Sequence, residues 1–230
     1  MEKRRNPLTD GLHLWTETFA LPITKIRLQS ELASNRKEPQ TDSVPTILIP
    51  GALGSENDLK LTKEWFLKLG GLKQVDIVNP LPKDKVLKQV EHLVSVIKNY
   101  KNPVRLVGFS LGGLVAYLAA LECLERGIAV ERVIAVDSPL LPITKSDFNH
   151  WATLYSVNDL LKDKRINNLL LGKKPDSLRL ISLYTPNSGI INPDVSRRKD
   201  ADSFQLPTQS HMSIYYDINV LNSIKNVFHN

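Results

Sequence analysis

The stretch Val104-Arg105-Leu106-Val107-Gly108-Phe109 passes without a spacer into Ser110 and then into a nearly all-apolar stretch from Leu111 to Glu125, stopped by Gly127. A short apolar run with no polar alternation suits a strand covered on both faces, which is the habit of parallel sheets. An apolar helix that follows at once must pack back on that sheet. The same alternation recurs along the chain. Pro45-Thr46-Ile47-Leu48-Ile49-Pro50 reads as a strand, followed by the glycine-bearing turn Gly51-Ala52-Leu53-Gly54-Ser55 and a helix from Leu59 to Leu69, closed by Gly70-Gly71. Asp76-Ile77-Val78 is a short strand. Pro82 then opens an amphipathic helix with Val86, Leu87, Val90, Leu93, Val94 and Ile97 at three- and four-residue steps. Arg132-Val133-Ile134-Ala135-Val136 and Leu178–Tyr184 add two strands, and Ile214, Ile218, Leu221 and Ile224 mark a final helix. Strands and helices alternating at this spacing predict an α/β fold, a mostly parallel central sheet with helices on both faces.

A chain of 230 residues suits a single domain of this kind over 1–230. Residues 1–45 read as a helical arm (Leu12, Trp15, Phe19) that Pro22 interrupts, then a polar loop. Residues 140–176, after the strand ending at Asp137, read as a cap-like insertion of two short helices rich in Trp151, Leu154, Leu160, Leu161 and Leu169 to Leu171. At 42% hydrophobic and 23% charged residues the composition is that of a globular protein. No run of eighteen apolar residues offers a transmembrane helix. The lone Cys123 allows neither a disulfide framework nor a cysteine-built metal site, and a reducing compartment fits. The basic start lacks the apolar core of a secretory signal, so a cytoplasmic location is expected. The net charge of +6 is too modest to suggest nucleic-acid binding. Residues 161–200 carry nine basic against four acidic residues. Long basic side chains normally make a solvated surface, though attraction to an anionic membrane surface is also open to such a segment.

Chemistry enters at Gly108-Phe109-Ser110-Leu111-Gly112-Gly113. A G-x-S-x-G string where a strand turns straight into a helix is the setting in which a strained bend lifts a serine hydroxyl above the sheet. The glycines two residues before and after the serine keep a Cβ from colliding with the neighbouring strand or helix. A serine needs a base, and of the five histidines His211 stands apart. His13, His92, His150 and His229 are more easily surface residues. His211 lies in Thr208-Gln209-Ser210-His211-Met212-Ser213, a loop just before the last helix, from which an imidazole can lean over the sheet edge. Neither G-x-G-x-x-G nor G-x-x-x-x-G-K-[ST] occurs, and no metal-ligand cluster is visible.

From Pro45 onward the sequence resembles the α/β-hydrolase superfamily, especially its small lipase- and esterase-like members. The matching motifs are Pro50-Gly51-Ala52-Leu53-Gly54-Ser55, Gly108-Phe109-Ser110-Leu111-Gly112-Gly113 and Ser210-His211. The resemblance implies Ser110 as nucleophile, His211 as base and an oxyanion hole from the backbone N–H groups of Ala52 and Leu111. The sequence departs from the pattern at the acid. Where such relatives commonly carry D-G-I-V-P, this chain has Ser188-Gly189-Ile190-Ile191-Asn192-Pro193. Two carboxylates offer themselves instead. Asp137 closes a strand, as the acid of pancreatic-type lipases does, and Asp194 is the alternative acid in the same loop as Ser188. Asp137 is preferred because a carboxylate at a strand's C-terminal edge is held rigidly.

The expected activity is hydrolysis of carboxylic esters through a covalent acyl-enzyme, on a small-molecule ester or lipid, with no cofactor and no metal. The same residues would serve an acyltransferase, and the serine at the usual acid position leaves a noncatalytic hydrolase-like scaffold as a further reading.

Overall fold

The computed structural model describes residues 7–52, 54–79, 85–144, 147, 163–186, 188, 190–207 and 210–228, with residues 7–20 described as helix only. In chain order the elements are α1 (Pro7–Ser34), β1 (Thr46–Ile49), α2 (Glu56–Lys68), β2 (Val75–Ile77), α3 (Val86–Ile97), β3 (Val104–Phe109), α4 (Leu111–Glu125), β4 (Val130–Val136), α5 (Lys164–Leu171), β5 (Leu180–Tyr184), α6 (Pro193–Ser196), β6 (Asp202–Gln205) and α7 (Ile218–Phe228). The strands form one sheet in the order β2-β1-β3-β4-β5-β6, and every pairing is parallel.

Alternating side chains of the strands feed two cores. Ile47, Ile49, Val104, Leu106, Val133 and Ala135 face one side, where they meet α3, α4 and α5. Leu48, Val107, Phe109, Ile134, Val136, Ile181 and Leu183 face the other, where they meet α1, α2 and α7. This is why the central strands read as continuous apolar runs. Strand order reverses between β1 and β3, the usual ligand position in an open parallel sheet, and the C-terminal ends of these two strands lead into Pro50 and Ser110.

Four expectations change. Helix α3 starts at Val86, after a non-helical Lys85, rather than at Pro82, which lies outside the described residues. Helix α1 runs through Pro22 rather than being interrupted by it. The missing N–H is a local cost, and burial of Leu28 and Leu32 against Trp65, Phe66 and Phe228 secures the turns that follow. Strand β6 and the short α6 went unpredicted. β6 is an edge strand whose four residues are all exposed, so it lacks the apolar signature of its neighbours. The last helix starts at Ile218, while Ile214 lies buried in the turn before it. Of the two helices expected in the insertion, α5 is one; Trp151, Leu154, Leu160 and Leu161 lie outside the described residues. Among the described residues no helix is long and apolar enough to cross a membrane.

One residue of the basic segment proves to be internal. The Arg198 side chain, only 5% exposed, donates to the carbonyls of Leu140 (3.2 Å), Leu170 (2.7 Å) and Gly172 (2.8 Å) and pairs with Asp200 at 2.8 Å. It thus ties the segment entering the insertion to the helix leaving it. The Arg198 hydrogen bond holds the Asp200 carboxyl down from its ordinary 3.8 to about 2. Because the folded state lowers this value, the pair stabilises the protein fully above pH ~4, and the stabilisation disappears as pH falls toward 2. The melting temperature of Asp200→Asn should therefore lie below that of the parent above pH ~4 and converge with it near pH 2; a gap that stays constant across that window would contradict the pairing.

Candidate active site

Ser110 sits between β3 and α4 with φ 54° and ψ −125°, backbone space that favours glycine. Such a conformation costs on the order of 1–3 kcal/mol and persists only where the surroundings enforce it. Here the surroundings are close. A Cβ on Gly108 would lie 2.3 Å from the carbonyl oxygen of Gly112, and one on Gly112 would lie 2.3 Å from that of Pro50. The elbow can therefore form only if the start of α4 presses against both β3 and the end of β1. The Ser110 N–H is tied across to the carbonyl of Val136 at 2.8 Å, which locks the bend to β4.

The next strand ends in a second strained residue. Asp137 has φ 46° and is fully buried. A carboxylate cut off from water needs donors, and it has three. The Thr185 N–H reaches Oδ1 at 3.1 Å, while the Ser188 hydroxyl and His211 Nδ1 reach Oδ2 at 2.7 and 2.6 Å. An ionised carboxylate only accepts, so Nδ1 carries the proton and Nε2 is left to accept from the Ser110 hydroxyl, 2.9 Å away. His211 is itself only 7% exposed. The structure thus brings Ser110, His211 and Asp137 into one hydrogen-bonded line above the C-terminal edges of β3 and β4.

Asp194 is not part of it. It lies in α6, its side chain 78% exposed, paired with Arg197 at 3.4 Å. The residue that sequence reasoning undervalued is Ser188. Its hydroxyl lies between the two partners, 2.7 Å from Asp137 Oδ2 and 3.3 Å from His211 Nδ1, and accepts from the N–H of Ile191 at 3.2 Å. The signal was available, since Ser188 occupies the position where a carboxylate was expected, and a side chain there has to face the imidazole.

The loop bearing Ala52 runs against the elbow: a Cβ on Gly51 would stand 3.0 Å from the Ser110 Cβ. Among the described residues nothing accepts from the N–H of Ala52 or from that of Leu111, the first residue of α4. Leu53 lies outside the described residues. Of the other histidines, His92 is exposed on α3, while the side chains of His13, His150 and His229 lie outside the described residues. Among the described residues there is no group of three or more His, Cys, Asp and Glu that could hold a metal ion.

A family model described as a thioesterase domain matches residues 85–186, from the start of α3 to just beyond β5. A search of curated proteins returned no match. Solved structures align over most of the chain. Lipase B of Aspergillus fumigatus aligns with a TM-score of 0.64 at 17% identity, covering 86% of this chain and 57% of that one. The NocB thioesterase domain, in covalent complex with a fluorophosphonate nocardicin G analogue, aligns with a TM-score of 0.54 at 16% identity, covering 83% and 94%. The type II thioesterase BorB from the borrelidin biosynthetic cluster aligns with a TM-score of 0.55 at 15% identity, covering 84% and 93%. The chain has the α/β-hydrolase fold.

If Asp137 orients the imidazole, Asp137→Asn should lower kcat by about 10⁴, because an amide can hold the ring in the wrong tautomer. Asp194→Asn should leave kcat within about twofold of the parent, as an exposed pair contributes little. Ser188→Ala should fall between them. Steady-state kinetics of the three variants on one ester substrate checks the order; an Asp194 effect larger than the Asp137 effect would contradict it.

Proposed function

We propose that the protein is a serine hydrolase of carboxylic acid esters, oxygen esters or thioesters, that works through an acyl-enzyme on Ser110. The observation that best supports this reading is the continuous line from Ser110 Oγ to His211 Nε2 at 2.9 Å and from His211 Nδ1 to Asp137 at 2.6 Å, with Ser110 and Asp137 at the ends of neighbouring strands and His211 on the loop before α7. His211 takes the Ser110 proton as Oγ bonds to the substrate carbonyl carbon. Negative charge then grows on the carbonyl oxygen, where the N–H groups of Ala52 and Leu111 stabilise it. Collapse of the tetrahedral intermediate breaks the bond to the leaving group, which receives the proton from His211. Water repeats the sequence and frees the acid. Asp137 stays ionised throughout and stabilises the imidazolium that forms between the two transfers.

The family match favours extending the reading to thioesters. Both leaving groups fit the same residues. An alkoxide needs the His211 proton more urgently than a thiolate, whose conjugate thiol has a pKa of only about 8.5. Once the leaving group has gone, the acyl-enzyme is identical.

A fluorophosphonate probe should form one adduct, on Ser110. Ser110→Ala should abolish that adduct and reduce turnover by at least about 10⁴. An oxygen ester and a thioester with the same acyl group should reach the same kcat when hydrolysis of the shared acyl-enzyme limits the rate. Absence of both adduct and turnover on short and long acyl donors of both kinds would leave only a noncatalytic scaffold.

A further inference from the structure

Tyr215 follows the proposed base by four residues, and its hydroxyl accepts from the Gly51 N–H at 2.9 Å. A Cβ on Gly51 or on Gly54 would come within 2.9 Å of that oxygen, so both glycines are needed to admit it. The ring packs against Phe109, the residue before Ser110, with centroids 5.0 Å apart. The Tyr215 carbonyl accepts from the Thr62 hydroxyl at 2.5 Å. The Tyr216 hydroxyl donates to Asp58 at 3.3 Å, and Asp58 in turn accepts from the N–H of Ser55 at 2.8 Å. One short segment therefore carries His211 and also grips the loop on which Ala52 lies.

The consequence follows from peptide planarity. The carbonyl of Gly51 and the N–H of Ala52 belong to one trans peptide unit and point in opposite directions. Gly54 N–H donates to that carbonyl at 3.0 Å, which fixes where the Ala52 N–H points. Tyr215 fixes the preceding peptide unit through the Gly51 N–H. With both units held, Gly51 loses the freedom that a glycine otherwise has. We propose that Tyr215 is a positioning residue, holding Gly51 so that the Ala52 N–H is already aimed at the developing oxyanion before substrate arrives. The proposal rests on the hydrolase reading above and deepens it. Burial pushes the Tyr215 phenol up to about 12, so the clamp stays neutral and intact over the pH range in which an imidazole titrates.

The test is Tyr215→Phe, which keeps the ring against Phe109 and removes only the hydroxyl. Loss of a whole oxyanion donor costs about 10²–10³ in rate, so loosening one should lower kcat by about ten- to a hundredfold. KM should hold within about twofold, since the lost interaction acts in the transition state. Affinity for a trifluoromethyl ketone carrying the substrate's acyl group should fall by the same factor as kcat/KM. The pH midpoint of kcat/KM should not move, because His211 and Asp137 are untouched. Thr62→Val, which releases the same segment from α2, should give a smaller kcat loss that does not add to that of Tyr215→Phe. Unchanged kcat in Tyr215→Phe, a shifted pH midpoint, or ketone affinity that holds while kcat falls would each overturn the clamp while leaving the hydrolase reading intact. Parent protein with no turnover and no fluorophosphonate adduct would overturn the hydrolase reading itself, and the clamp with it.

Discussion

Everything at the C-terminal edge of the sheet is organised around one buried negative charge. The Asp137 carboxylate has no contact with water, and it is tolerable only because the Thr185 N–H, the Ser188 hydroxyl and the His211 ring converge on it. Those three donors come from the segment after β5 and from the loop before α7. The carboxylate therefore joins parts of the chain far apart in sequence at the point where the imidazole must be aimed. Removing any one donor leaves a charge that is less well satisfied, which is why Ser188 matters although it touches no reacting atom.

The same edge stores strain. Ser110 and Asp137 are the only non-glycine residues with positive φ among those described, and they end neighbouring strands. Each is braced by a strand-to-strand bond, Ser110 N–H to the carbonyl of Val136 and Asp137 N–H to that of Leu183 at 2.6 Å. The sheet thereby imposes the two sharp bends that lift a hydroxyl and a carboxylate to the same level. The apolar cores on both faces supply the stability against which such local costs are small. Ser110 follows β3, beside the point where the order of the parallel sheet reverses between β1 and β3.

Much of this was legible in the sequence, and for identifiable reasons. Strands β1, β3, β4 and β5 announced themselves because burial on both faces leaves no polar alternation, and α4 because it is apolar all round. Their ends shifted by at most two residues, as termini do. Strand β6 was not legible: Asp202-Ser203-Phe204-Gln205 is exposed at the edge, and its pairing with β5 comes from backbone bonds that side chains do not advertise. Pro22 misled because its cost is local while the packing of Leu28 and Leu32 is tertiary. In the site, Ser110 and His211 followed from the motif and its context. Asp137 is preferred over Asp194 on sequence because it closes a strand, whereas the burial of the one and the exposure of the other come from the path of the chain after β5. Tyr215 left no trace, because its partner is a backbone N–H.

The most direct measurement is the proton spectrum of the His211 ring. A proton held on Nδ1 against a buried carboxylate should resonate far downfield of ordinary ring protons and exchange slowly with water. One such resonance is expected at neutral pH in the parent protein, lost in Asp137→Asn and retained in Asp194→Asn. Its absence from the parent, or its survival in Asp137→Asn, would contradict the arrangement on which the site depends.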